Sequence, residues 1–206
     1  KVRNFVHMSS LNVDKVKDSE YALSKLEGER LAKEYFKDIT IIRPGVVFGK
    51  GDNFINFFYN LSRFSPILPL IGTPEIIKTN KFFPKIDFKK KVKFQPIYVG
   101  DLVNFLILKC TLKSKVFELA GPSVCSFDEI FDIILSSKKK KRVYFPVPFF
   151  IASILAFILE TFPTPLLTRD QIRLLKVNNI SSQGLETLKT EIRNPTSLQS
   201  VIDSYI

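Results

Sequence analysis

The chain has 206 residues, 45% hydrophobic and 25% charged, values of a globular domain that exclude a disordered or collagen-like chain. With 31 Lys and Arg against 20 Asp and Glu, the formal net charge is +11, which suits either an anionic partner or a solvated lysine-rich surface. No aromatic-basic RNA motif and no zinc-finger spacing is present, so no nucleic-acid partner is expected. Cys110 and Cys125 lack a CxxC partner and lie far from His7, the only histidine, so no metal site is expected.

Arg3–Met8 reads as a buried parallel strand ending at the pair Ser9-Ser10. A helix follows from Ser19, a cap residue, to about Lys37, with Tyr21, Leu23, Leu26, Leu31 and Tyr35 as its large apolar positions. Tyr21 and Lys25 stand four apart, on one face of that helix. A fixed ammonium beside a phenol favours the phenolate, a suitable general acid/base beside a nicotinamide. Ile39–Ile42 is a second, β-branched strand ending in Arg43-Pro44, where Arg43 serves as an ion-pair partner or an anion clamp. Asp52–Phe58 opens a further helix, in which Asn53 and Phe54 are weak ligand candidates beside the plainer readings of cap and core. Strands alternating with helices predict a doubly wound α/β sheet.

Prolines at 66, 69, 74, 84 and 96 and the basic stretch Lys89–Lys93 mark residues 64–96 as loop around short strands, with an insertion expected near Ile76–Lys91. Phe94–Asp101 leads into an apolar helix reaching about Leu112, and Val116–Pro122 is a strand and turn. Ser126 and Glu129 form a capping-box pattern. The basic run Lys138–Arg142 precedes Val143–Leu159, which carries no charge. Pro146 and Pro148 break that run. The helix Phe149–Phe162 is too short to cross a bilayer, which needs about 20 apolar residues. It fits either a packed helix of a small subdomain or, with the lysines, a peripheral contact of residues 138–162 with an anionic membrane. A last clear helix spans Thr168 to about Lys176.

Tyr21-Ala-Leu-Ser-Lys25 after Ser9-Ser10 and before Arg43-Pro44 resembles the later half of an extended short-chain dehydrogenase/reductase. Leu167–Lys176, Asn178-Asn179-Ile180, Pro195-Thr-Ser-Leu198, Gly51-Asp-Asn-Phe54, Phe94–Asp101 and Phe117–Pro122 narrow the resemblance to one atypical branch. That branch holds the nucleotide-binding accessory subunit of respiratory complex I and its α-proteobacterial relatives. The resemblance implies the C-terminal portion of a Rossmann-like doubly wound sheet with a small C-terminal α/β subdomain. Residues 1–63 would be the later part of the nucleotide-binding domain, 64–137 a mixed segment returning to the core sheet, and 138–206 a helical subdomain and tail. It implies cofactor contacts at Ser9, Tyr21, Lys25, Pro44, Val46 and Val47, and a catalytic set of Tyr21, Lys25 and Ser10 if there is turnover. Active members carry Ser or Thr about where Leu11 stands, which favours an accessory role.

Members of this family open on a Gly-rich turn that cradles the pyrophosphate. The 8 glycines here form no G-x-G-x-x-G; Gly49-Lys-Gly51 is followed by Phe54 at the third position. The sequence is therefore expected to be a fragment, binding NADP or NAD only with an N-terminal segment that supplies the turn. The implied partners are complex I subunits. The implied location is the cytoplasmic face of a bacterial inner membrane or the matrix side in a mitochondrion. The alternative is an active reductase, epimerase or dehydratase acting on a nucleotide sugar or a lipid-like carbonyl compound.

Overall fold

The computed structural model describes residues 4–77, 85–109 and 115–206. Cys110 and Arg3, and part of the stretch expected as an insertion, lie outside them. The strands are β1 (Val6–Met8), β2 (Thr40–Pro44), β3 (Val47–Phe48), β4 (Ile67–Ile71), β5 (Glu75–Ile77), β6 (Lys85–Asp87), β7 (Lys93–Phe94), β8 (Ile97–Tyr98), β9 (Lys115–Leu119), β10 (Cys125–Ser126) and β11 (Val143–Val147). The helices are α1 (Glu20–Tyr35), α2 (Ile55–Phe64), α3 (Val99–Lys109), α4 (Phe127–Ser137), α5 (Phe149–Leu159), α6 (Arg169–Leu175), α7 (Gly184–Lys189) and α8 (Leu198–Val201).

The parallel sheet has the order β1-β2-β9, with Met8 opposite Ile42 and Pro44 opposite Leu119. Helix α1 is the crossover that joins the parallel neighbours β1 and β2. Strand β2 is central and buried on both faces, which suits the β-branched sequence Ile39–Ile42. Strand β1 pairs only with β2 among the described residues, and Val6, His7 and Met8 are half-buried instead of buried as the sequence predicts. Two further pairs are also parallel, β3 with β8 and β4 with β11. Among the described residues β11 pairs on one side only, which is where a strand tolerates Pro146.

Helix α1 differs from a simple amphipathic helix. Tyr21, Leu23, Leu31 and Tyr35 are exposed, and the inward face is made of Ala22, Gly28 and Glu29. These groups let the helix lie close to β1: a Cβ on Gly28 would stand 3.2 Å from the His7 ring. Its first turn is capped by Ser19, whose hydroxyl accepts from the Ala22 amide. Helix α4 has the expected Ser126–Glu129 capping box, and α6 has a second one from Thr168 and Gln171. The main core lies between α2, α4 and β4, where Phe58 meets Phe54, Phe127 and Phe131 edge-on at ring distances of 4.9–5.5 Å. A second core packs Leu102 and Phe105 of α3 against Ile42, Ile97 and Leu119.

Helix α5 buries only Ala152 and Ala156 against Val147 and Ile172. Phe150, Ile151, Ile154, Leu155, Phe157 and Ile158 on the same helix are exposed. No helix among the described residues is long and apolar enough to cross a membrane. In the basic run, Arg142 donates to the Ser62 carbonyl and Lys138 to the Ile206 backbone oxygen, while Lys139, Lys140 and Lys141 are exposed. Cys125 is buried, and burial, with the nearby Glu129 carboxylate, pushes its thiol up.

Candidate functional site

A cleft of about 760 Å³ opens beyond the carboxyl ends of β1 and β2. Ligands settle in such crevices in α/β sheets, and the size suits a small molecule. One wall is the loop after β1 and the start of α1, with Ser10, Leu11, Asn12 and Tyr21. The facing wall is the bend before α2 and α2 itself, with Asn53 from the bend and Asn56, Phe57 and Asn60 from the helix. Within α2, Asn56 and Asn60 stand four apart and share one face. Residues 164–167 and Leu174 and Leu175 of α6 close a third side, with Val46, Phe94 and Asn179 at the base.

The expected site residues divide. Ser10, Tyr21 and Val46 line the cleft, whereas Ser9, Lys25, Pro44 and Val47 stand behind or beside it. Lys25 donates to the Met8 carbonyl at 3.3 Å, and its ammonium lies 5.8 Å from the centre of the Tyr21 ring. The pair therefore sits at the strand end, with the half-exposed phenol turned toward the cleft side. Leu11, buried at the wall, presents no hydroxyl there; its amide donates to Pro44. Asn53 lines the cleft and caps nothing. The cap of α2 is Asp52, which accepts from Ile55 at 2.6 Å and from Gly49 at 3.1 Å. Phe54 both lines the cleft and packs on the core.

Arg43 is an ion-pair partner. Its guanidinium grips the buried Glu29 through two bonds of 2.8 Å and reaches Asp14 at 3.2 Å. Burial pushes the Glu29 carboxyl up, but the bonds from Arg43 outweigh it and hold Glu29 below its ordinary value. This pair fastens α1 to β2.

Two of the resembling motifs have positions that sequence reading alone misses. Asp170 reaches across to the N-terminus of α1 and accepts from Ser19 Oγ at 3.0 Å, Glu20 N at 2.9 Å and Tyr21 N at 3.1 Å. Burial pushes its carboxyl up, and these donors more than reverse that, holding it below the usual carboxylate range. Asn178–Ile180 is a latch. Asn12, in a left-handed conformation at φ 60°, gives both amide hydrogens to the carbonyls of Asn178 and Ile180 at 2.9 and 3.0 Å. Asn179 Oδ1 accepts from Val46 at 2.9 Å. Gly45 is required beside it, since a Cβ there would stand 2.7 Å from the Gln95 carbonyl oxygen.

Over 194 residues the chain is 29% identical to the Dictyostelium discoideum mitochondrial protein "NADH dehydrogenase [ubiquinone] 1 alpha subcomplex subunit 9", covering 91% of this chain and 50% of that protein. The mouse protein of the same name is 26% identical over 203 residues, 96% of this chain and 49% of that one. This chain is a distant homologue of that complex I subunit. It spans about half the length of the curated relatives it matches. No family model matches it. Among solved structures, the Escherichia coli NADPH-dependent quinone oxidoreductase QOR2 with NADPH superposes at a TM-score of 0.68 and 16% identity, covering 97% of this chain and 64% of that one. UDP-glucuronic acid 4-epimerase of Bacillus cereus with NAD gives 0.62 at 17% identity, covering 100% of this chain and 60% of the enzyme. The complex I homologue thus has the extended short-chain dehydrogenase/reductase fold, with the parallel strands of a Rossmann-like α/β sheet.

Proposed function

We propose that this chain works as an NAD(P)H-binding accessory or assembly subunit of NADH:quinone oxidoreductase, without turnover of its own. The observation that carries the reading is the match to the complex I subunit along 91–96% of the chain. Leu11 on the cleft wall supports the lack of turnover, because a carbonyl substrate held by Tyr21 would lack its usual hydroxyl donor there. Lys25 and Tyr21 then hold the nicotinamide ribose, with Ser9, Pro44, Val46 and Val47 forming the backing. NADP or NAD is retained only where a Gly-rich turn is supplied, since none of the 206 residues builds one. The apolar face of α5 and the lysines of 138–162 support a peripheral contact with the membrane that carries the complex. In this reading the chain sits on the matrix side in a mitochondrion or on the cytoplasmic face in a bacterium.

Native electrophoresis of gently solubilised membranes tests this. The tagged chain should migrate with NADH:quinone oxidoreductase, and its depletion should lower the amount of assembled complex. A chain that migrates alone, with assembly untouched by its loss, would overturn the reading. Tyr21 at the cleft favours the second reading, an active reductase, which requires NADPH oxidation that Tyr21→Phe abolishes.

A further inference from the structure

The walls of the cleft carry an unusual charge inventory. Among the described residues no lysine, arginine or histidine lines it, and the single carboxylate there, Asp52, is committed to the amides of Gly49, Ile55 and Asn56. A nucleotide sugar brings two phosphate charges, and burying them without a cation is very costly. The polar groups on offer are neutral: the hydroxyls of Ser10 and Tyr21 and the amides of Asn53, Asn56 and Asn60. Asn12, Thr164, Gln171 and Asn179 are neutral too, and the remaining side chains are apolar and aromatic. One rim is the segment Thr164–Leu167, which follows α5, and its Leu166 is exposed like the outer residues of that helix. Apolar surface therefore runs along the chain from α5 to the mouth of the cleft.

We infer that the cleft takes an uncharged, lipid-like molecule: a long apolar body with a carbonyl or hydroxyl head that bonds neutral donors and acceptors. The inference deepens the proposed function and rests on it for the assignment of this cleft to the substrate side. The apolar body lies along Phe57, Phe58 and the leucines of α6, and the head meets Ser10, Tyr21 or the asparagines of α2. Neutral amides and hydroxyls satisfy such a head without the desolvation cost of an ion. Discrimination follows from the missing cations, since phosphate or carboxylate would enter unpaired.

The test uses the whole chain and four probes: decylubiquinone and oleyl alcohol as uncharged heads, oleate and UDP-glucose as charged ones. Binding is read by equilibrium dialysis at about 0.15 M salt, where surface charge is screened beyond roughly 8 Å. The two uncharged probes separate a quinone from an acyl source, and binding of either supports the proposal. Oleate should bind at least about tenfold more weakly than oleyl alcohol, and UDP-glucose not at all. Phe57→Lys, at a partly exposed wall position, should weaken the uncharged probe about tenfold or more while circular dichroism stays unchanged. Ile154→Ser on the outer face of α5 should leave it bound. Binding of UDP-glucose, or binding lost with Ile154→Ser and kept with Phe57→Lys, would overturn the proposal. So would failure of both uncharged probes. Failure here leaves co-migration with complex I untouched, so the two readings fall separately.

Discussion

Asp170→Ala removes the one carboxylate that caps α1 from a distance of 149–151 residues along the chain. Two backbone amides of the first turn and the Ser19 hydroxyl lose their acceptor. Loss of an N-cap costs about 0.5–2 kcal/mol, and removing a negative charge from a helix N-terminus a further 0.3–1 kcal/mol or so. The side chain is 24% exposed, so a total of about 2–3 kcal/mol is expected, short of the sum over three charge-assisted bonds. For a chain of this length that lowers Tm by roughly 5–10 °C. Asp170→Asn keeps one acceptor oxygen and should cost about half as much. The pH dependence fixes the cause. The native Asp170 carboxyl lies below its ordinary value, so its stabilisation is complete above the unfolded value of about 3.9 and disappears as pH falls through the native one. Guanidinium unfolding followed by circular dichroism should show the gap between wild type and Asp170→Asn constant from pH 7 to 5 and narrowing below about pH 4. A gap under about 0.5 kcal/mol at pH 7, or one that does not narrow in acid, would refute the capping role.

Glu29→Ala leaves Arg43 buried with only Asp14 as partner, and should cost about 3–5 kcal/mol in denaturant unfolding. Glu29 too is held below its ordinary value, so this contribution is present at neutral pH and lost as pH falls through its native value. Gly121→Ala should cost about 3 kcal/mol in the same assay, because a Cβ there would lie 1.7 Å from the Pro96 carbonyl oxygen and the backbone must move. In the dinucleotide-loaded protein, Lys25→Ala should weaken cofactor retention more than Tyr21→Phe. A cationic donor to ribose is worth roughly 1.5–3 kcal/mol against less for a neutral hydroxyl, and calorimetric titration gives the order.

What could be read beforehand was local. The Ser126–Glu129 box, the cap at Ser19 and the β-branched strand β2 each depend on residues within a few positions, and each forms as expected. The pairing of β4 with β11 was not legible, because Pro69 and Pro146 disguise both strands and the partners lie far apart in sequence. Asp170 and Asn12 were missed for a related reason: a polar residue in a helix or turn gives no sign of a partner 150 or more residues away. Asn56 and Asn60 of α2 went unremarked, because polar residues four apart on a helix read first as a solvated face. Lys25 was placed correctly beside Tyr21, yet its bond to the Met8 carbonyl, which keeps it off the cleft wall, follows only from how α1 sits on β1.

The latch at Asn178–Ile180 also sets the order in which a ribosome can deliver this site. The Tyr21 wall emerges early and α2 soon after, yet Val46 lacks its latch partner until Asn179 has been made, and Asn12 lacks its second until Ile180 has. No nascent chain that stops short of Ile180 can close the cleft. Until then the phenylalanines of α2 line a cleft that is not yet latched, a window in which aggregation competes with folding. A chaperone that holds the growing chain through this interval would act on the cleft's own aromatic wall, and a premature stop upstream of Asn178 would release a product that keeps the early strands and has no site.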